Sequence, residues 1–213
     1  MVRVEVSSRD YGQVVILVSA ALKGGVGKTT TAVYLAAVAA SNRKPVYLID
    51  ADPQASAADW IAYSSDEELQ KVSVVEAPTE RLLLKALDRV TGDDVAVVDT
   101  PPGQERLLAK ALERASAVVI PTRVGGVETS RATAVVDMLP SRTAAGLVIS
   151  SARTFTRDYQ DAVAQWSEAG VPVWGTVPER VAIASGPDGW LSDDGLDAYR
   201  SIWRRALRAA RSA

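Results

Sequence analysis

The chain has 213 residues, 47% of them apolar and 23% charged, the composition of a globular protein long enough to bury one substantial core. It contains no cysteine and no histidine, which excludes disulfides, thiolate and imidazole metal sites and every histidine-based triad. A formal charge of −2 and a pI near 5.3 argue against a wholly basic nucleic-acid binder and leave room only for a local basic face.

In residues 1–13, Val2, Val4 and Val6 alternate with charged and polar neighbours, the pattern of a short edge strand. Their mixed charge is unlike a signal peptide, and no later apolar run approaches the roughly 20 residues of a membrane span, so a cytoplasmic protein is expected. Val14 to Val18 reads as a buried strand and leads into Lys23-Gly24-Gly25-Val26-Gly27-Lys28-Thr29-Thr30, after which a helical pattern runs to Ser41. Phosphate binding needs backbone N–H groups turned into one concavity, and the three glycines supply the unusual dihedrals that this takes. The helix that follows adds its free N-terminal N–H groups and the positive end of its dipole. In such a loop Lys28 reaches the outer phosphates and the Thr29 hydroxyl ligates Mg²⁺. The general pattern places a glycine at position 22, where this chain has Leu22, and it adds a lysine, Lys23.

Val46 to Ile49 forms a short buried strand running into Asp50-Ala51-Asp52-Pro53-Gln54. Carboxylates at the carboxyl end of a strand in an open α/β sheet border the ligand crevice. Asp50 and Asp52, two apart, share one face of an extended strand, and either can approach a phosphate and its attacking water. A second reading has Asp52 capping the helix that begins near Gln54. Ala55 to Tyr63 is a helix in which Trp60 packs, Ser64 to Glu68 a polar hinge, Val72 to Glu76 a strand and Thr79 to Val90 an amphipathic helix. Val95 to Val98, ending in Asp99-Thr100-Pro101-Pro102-Gly103, has the form of a strand whose terminal carboxylate holds Mg²⁺ directly or through its water shell. There follow a helix from Leu107 to Arg114, a strand from Ala117 to Ile120, a helix from Val127 to Leu139, and a strand from Gly146 to Ile149 that reaches Ser150. A helix from Arg157 to Ala169 and a strand from Val171 to Thr176 lead to Val177-Pro178-Glu179-Arg180. Strands alternating with helices predict a single doubly wound α/β domain over 1–213, its mainly parallel sheet flanked by helices as in the P-loop NTPases. There is no internal repeat or second-domain boundary.

The run K-G-G-x-G-K-T-T resembles the deviant Walker A box of the ParA/MinD superfamily, D-x-D-P-Q its second box and D-T-P-P-G its third. The likeness covers about Val14 to Ala210 and is nearest to the small ParA type. It implies that Lys23 crosses a dimer interface to the nucleotide of the other subunit, that Asp52 orients the hydrolytic water, and that the turn at Pro178 frames adenine through its backbone. Many relatives place an asparagine or threonine near Ser150 to meet the adenine edge. With serine here, the part of that side chain in base recognition is open. The resemblance further implies an ATP- and Mg²⁺-dependent homodimer that hydrolyses ATP slowly and acts with a ParB-like or other activating partner protein.

From Leu196 to Arg211, apolar Leu196, Tyr199, Ile202, Trp203, Ala206, Leu207 and Ala210 recur at helical spacing, while Arg200, Arg204, Arg205, Arg208 and Arg211 fill much of the remainder. Three readings compete for this basic amphipathic helix, 194–211. It docks on the body with a solvated cationic face, or its arginines hold DNA phosphates without reading sequence, or Trp203 and its neighbours enter an anionic membrane surface. DNA is favoured over membrane, because leaving Ile202, Trp203 and Leu207 uncovered forgoes about 1.5–3 kcal/mol for each. The expectation is a nucleoid-associated ATPase that positions plasmid, chromosome or other cargo on non-specific DNA. The alternative is a MinD-like, ATP-gated switch at the membrane surface.

Overall fold

A computed structural model of the chain describes residues 14–42, 44–141, 143–179, 183 and 191–212. The edge strand expected within 1–13 lies outside the described residues, as does Arg180. Seven strands form one sheet: β1 (Val15–Ser19), β2 (Val46–Asp50), β3 (Val72–Glu76), β4 (Val95–Asp99), β5 (Ala117–Thr122), β6 (Ala144–Ala152) and β7 (Val173–Pro178). Their order is β3-β2-β4-β1-β5-β6-β7, and every described pairing is parallel. Helices α1 (Lys28–Ala40), α2 (Ser56–Tyr63) and α7 (Asp193–Ser212) cover one face. Helices α3 (Glu80–Leu87), α4 (Glu105–Arg114), α5 (Gly126–Asp137) and α6 (Arg157–Glu168) cover the other. Both faces being covered, the central strands are continuous apolar runs, and β4 and β5 are buried at every residue.

β1 stands between β4 and β5, so the chain leaves it in one direction and later returns to its other side. That is the switch point of a doubly wound sheet, where the crevice opens beyond the carboxyl ends of the strands. Ser19, Asp99 and Asp50 are register partners across β1, β4 and β2, so three strands end at the same level beneath that crevice.

Several boundaries differ from the sequence expectation, each for a local reason. β7 begins two residues late because Val171 serves the end of α6: its N–H bonds to Trp166 O while Gly170 takes φ 70°. This is a Schellman-type closure that withdraws Val171 from the sheet. α7 begins at Asp193 because Ser192 Oγ accepts the N–H of Gly195 and two acidic residues occupy the first turn, ahead of the apolar period that starts at Leu196. The hinge after Tyr63 runs into a 3₁₀ turn, Leu69–Lys71, with the Asp66 carboxylate accepting the N–H groups of Glu68 and Leu69. Trp60 packs in the core, as expected.

α7 closes the fold by packing over α1 and across β7. Tyr199, Ile202, Trp203, Ala206 and Leu207 are buried, and Trp203 is 2% exposed. Two glycines permit the approach: a Cβ at Gly175 would lie 2.4 Å from Ile202, and one at Gly195 2.5 Å from the Tyr34 ring. Tyr34 stacks on Tyr199 at 5.1 Å, and the Tyr199 hydroxyl lies 2.9 Å from Thr31 Oγ1, one turn into the helix that follows the glycine loop. Burial raises the Tyr199 pKa well above its ordinary value, so that hydroxyl stays neutral.

Candidate functional site

The glycine loop hangs between β1 and α1. Gly25 (φ 76°) and Gly27 (φ 95°) take left-handed conformations that β-carbons would strain, and Gly24 and Gly25 are exposed. Leu22, standing where the general pattern has glycine, packs against the apolar cluster and anchors the start of the loop. The N-cap residue, Gly27, has no side chain to cap α1, and among the described residues no other side chain does so, which leaves the amides of its first turn, around Lys28, Thr29 and Thr30, available to an anion. Three hydroxyls fix the frame beneath: Ser19 Oγ donates to Lys28 O at 2.9 Å, Thr100 Oγ1 to Ser19 O at 2.7 Å, and Ser150 Oγ to Val26 O at 2.7 Å. The Ser150 hydroxyl also lies 3.0 Å from Thr122 O, so its one proton serves two carbonyls. Ser150 is thereby committed to bracing the loop.

Lys28 is buried to 6% exposure, and its Nζ donates to Lys23 O at 2.8 Å. Burial lowers its pKa, against the opposing charges of Asp99 and Asp52. Asp99 is fully buried at the end of β4; Oδ2 accepts the Thr29 hydroxyl at 2.7 Å, and among the described residues Oδ1 has no partner. Burial pushes its carboxyl up to about 7, opposed by the Thr29 hydrogen bond and assisted by the charge of Asp50. A buried carboxylate oxygen without a donor calls for a cation, and a hydroxyl beside it completes a hard-oxygen pair suited to Mg²⁺. Among the described residues no group of three or more Asp or Glu could hold the ion unaided, so its other positions fall to phosphate and water.

The two aspartates at the end of β2, Asp50 within the strand and Asp52 in the turn beyond it, make different contacts. Asp50 is fully buried and its carboxylate accepts the N–H groups of Asp52, Ala57 and Ala58 at 2.9–3.0 Å. Burial raises its pKa, and those three amides oppose the shift. Asp50, six residues before the start of α2, therefore caps that helix; the Asp52 side chain only closes a local turn to Gln54 N at 2.9 Å. The half-buried Asp52 lies near enough for its charge to act on Lys28 and Asp99. The capping that the second reading gave to Asp52 is done by Asp50.

Lys23 is exposed on the loop, and its Nζ pairs with Glu128 in the first turn of α5. Sequence reasoning missed Glu128, which is 105 positions away and carries no motif. Pro178, the last residue of β7, pairs with Ala152 and stands three strands from β1, roughly 14 Å away at usual strand spacing. It is at the same edge of the sheet as the loop but is not in the phosphate site. The arginines of α7 differ among themselves. Arg200 pairs with Asp197 at 2.7 Å and Arg205 donates to Val173 O at 3.0 Å. Arg204 and Arg208 are exposed one turn apart, and among the described residues no ion pair ties either.

Residues 17–189 match the family model described as the CobQ/CobB/MinD/ParA nucleotide binding domain. The chain is 43% identical over 116 residues to the maintenance of carboxysome distribution protein A of Gloeobacter kilaueensis, covering 54% of this chain and 51% of that one. It spans about half the length of the first curated relatives it matches. Among solved structures, a plasmid partition protein from Borrelia burgdorferi bound to AMPPNP superposes with a TM-score of 0.74 at 19% identity, over 92% of this chain and 99% of that one. The septum site-determining protein MinD of Pyrococcus horikoshii, complexed with Mg-ADP, superposes at 0.75 and 17% identity, over 91% and 96%. With a deviant glycine loop over a Thr29–Asp99 pair whose carboxylate is buried, and a match across most of its length, this chain belongs to the CobQ/CobB/MinD/ParA nucleotide-binding family of P-loop proteins.

Proposed function

We propose that this chain hydrolyses ATP slowly as a dimerising switch of ParA type, binding non-specific DNA in its ATP state and positioning a cargo with an activating partner protein. The observation that carries the reading is the orphaned Asp99 Oδ1 beside the Thr29 hydroxyl, under a loop that also bears Lys23. Loop amides from Gly24 to Thr30 and the Lys28 ammonium bind the phosphates, Lys28 exchanging Lys23 O for a phosphate oxygen. Thr29 and Asp99 would hold Mg²⁺, which would neutralise charge at the phosphates. Asp52 orients the attacking water, and Asp50 fixes the turn that carries Asp52. Lys23 reaches the nucleotide of the second subunit, and Pro178 contributes backbone at the adenine end.

Cargo positioning is supported by the relatives, one named for maintaining carboxysome distribution and a structural neighbour described as a plasmid partition protein. DNA is favoured over a membrane surface because the apolar face of α7 is occupied by the core, whereas its row Arg200, Arg204, Arg208 points outward. Among the described residues no helix is long and apolar enough to cross a membrane. The deciding experiment loads the Asp52→Ala variant with Mg·ATP and measures binding to non-specific double-stranded DNA and to anionic liposomes across a salt series. ATP-dependent DNA binding that weakens steeply with salt is expected. Liposome binding alone would move the switch to the membrane; binding to neither would remove DNA from the function.

A further inference from the structure

Lys23 is held twice by its own chain. Its carbonyl accepts the Lys28 ammonium at 2.8 Å, and its side chain pairs with Glu128 on α5. The two ends of the ion pair differ in rigidity. Glu128 is 14% exposed and set in the first helical turn, its N–H bonded to Gly125 O at 3.1 Å. Lys23 is 47% exposed, on a loop whose next two residues are glycines with nothing within 4 Å of a β-carbon position. The lysine is therefore the part that can leave.

Its departure would not strand the carboxylate. Arg131, one turn along α5, stands 4.0 Å from the same Glu128 oxygen and can take over the pairing. The space between the loop and α5, floored by Leu22, Val26, Ile120 and Ala132, measures only about 10 Å³, too little for a ligand to mediate the contact. Resting on the reading that Lys23 serves a second subunit, we propose that Glu128 is a positioning residue that restrains Lys23 in the nucleotide-free chain, so that the strength of this pair sets how much ATP brings two copies together. Phosphate that draws Lys28 away from Lys23 O frees the backbone at residue 23; the nucleotide of the partner then competes with Glu128 for the side chain. Arg131 lowers the barrier to that exchange by keeping Glu128 compensated.

The test has two arms on the full chain. First, the rate at which a limiting amine-reactive ester acylates Lys23 is read by mass spectrometry without nucleotide. Glu128→Gln raises it about two- to five-fold, as expected for losing a partly exposed ion pair. Second, in the Asp52→Ala background with Mg·ATP, sedimentation reads the association constant. Two restraints open per dimer, so Glu128→Gln raises it roughly four- to twenty-five-fold. Arg131→Ala, which leaves Glu128 to Lys23 alone, lowers it, and this opposite sign separates restraint from damage to the fold. Unchanged Lys23 reactivity would overturn the proposal, as would faster acylation with an unchanged association constant. A weakened dimer in Glu128→Gln would also overturn it, placing Glu128 among the groups that hold the closed state. Absence of ATP-dependent association in the Asp52→Ala parent would instead sink the dimer reading itself, whatever the acylation rates.

Discussion

The glycine loop and α7 are the two cationic regions considered for binding, and they hold their charges in opposite ways. Lys23 and Lys28 are bonded to acceptors of their own chain, on a backbone whose dihedrals glycines set and whose underside three hydroxyls fasten. Among the described residues no ion pair holds Arg204 or Arg208, yet their helix is fixed by six buried residues, Gly195, Tyr199, Ile202, Trp203, Ala206 and Leu207. A ligand of fixed geometry, such as a triphosphate, needs donors placed by the backbone, and each donor must have somewhere to wait. A repeating polyanion needs only a rigid row of charge at a suitable spacing. The difference is also energetic: disturbing the loop should alter chemistry, while disturbing α7 alters stability from one face and affinity from the other.

The hardest test of that division is Trp203→Ala. If α7 is scaffold, removing a side chain that is 2% exposed costs about 3–5 kcal/mol in urea unfolding, with the remaining folded protein still able to bind nucleotide. A loss under 1 kcal/mol would mean that the apolar face is dispensable to the fold, the condition membrane insertion requires.

Next in size is Asp50→Asn. The amide keeps one acceptor and turns the other into a donor, leaving at least one of the amides of Asp52, Ala57 and Ala58 unpaired. The expected cost is about 1–3 kcal/mol of stability. It comes with a fall in kcat at nearly constant KM, because Asp52 is displaced while the loop that binds phosphates is untouched. Equal losses in kcat and in nucleotide affinity would show that Asp50 supports the whole site instead of the turn alone.

How much of this was legible from the residues follows the same division. The glycine loop, Thr29 and Asp99 were readable because phosphate and Mg²⁺ demand particular residue types at fixed spacing from a strand end. The face of α7 that docks was readable from its period. What escaped depended on contacts between distant stretches or on caps. Asp50 caps a helix starting six residues later, across a turn whose path residue type does not specify. Ser150 serves as a brace because β6 continues past Ile149, three residues beyond its expected end. Glu128 meets Lys23 only through the order of strands, which brings α5 beside the loop. At α6 and β7 the apolar Val171 read as strand, but a glycine cap claimed it.

The loop region also predicts a pH signature near neutrality. Folding raises the Asp99 carboxyl to about 7, above the ordinary carboxylate value near 4. Between those values the folded chain holds a proton that the unfolded chain has released. In the absence of nucleotide and metal, the contribution of Asp99 to stability is therefore fully present below about pH 4 and is lost as pH rises towards 7. Mg·nucleotide binding runs the other way, since the ion needs the carboxylate: affinity should rise up to tenfold per pH unit below about 7 and level off above it. Calorimetric titration from pH 5.5 to 8.5 checks this, with Asp99→Asn as the flat control. A flat profile in the parent protein would mean that Asp99 is ionised throughout.

The smallest expected effect on stability belongs to Arg204→Ala and Arg208→Ala, and it separates the two regions most cleanly. Both side chains are exposed, so each change should stay within about 0.5 kcal/mol in unfolding and leave turnover without DNA unaltered. Their output should appear only against DNA, where each removed phosphate contact lowers the salt slope by about one per protomer, uniformly across sequences. Arg200 and Arg205 should contribute less, because Asp197 and the carbonyl of Val173 already compete for them. That ranking can be measured in one salt series. If Arg200 and Arg205 prove equal to Arg204 and Arg208, the internal bonds of the first two are too weak to matter, and tethering fails as the distinction between loop and helix. If all four are silent while DNA binding still requires ATP, the ATP-dependent contact lies on another surface, and α7 is scaffold on both faces.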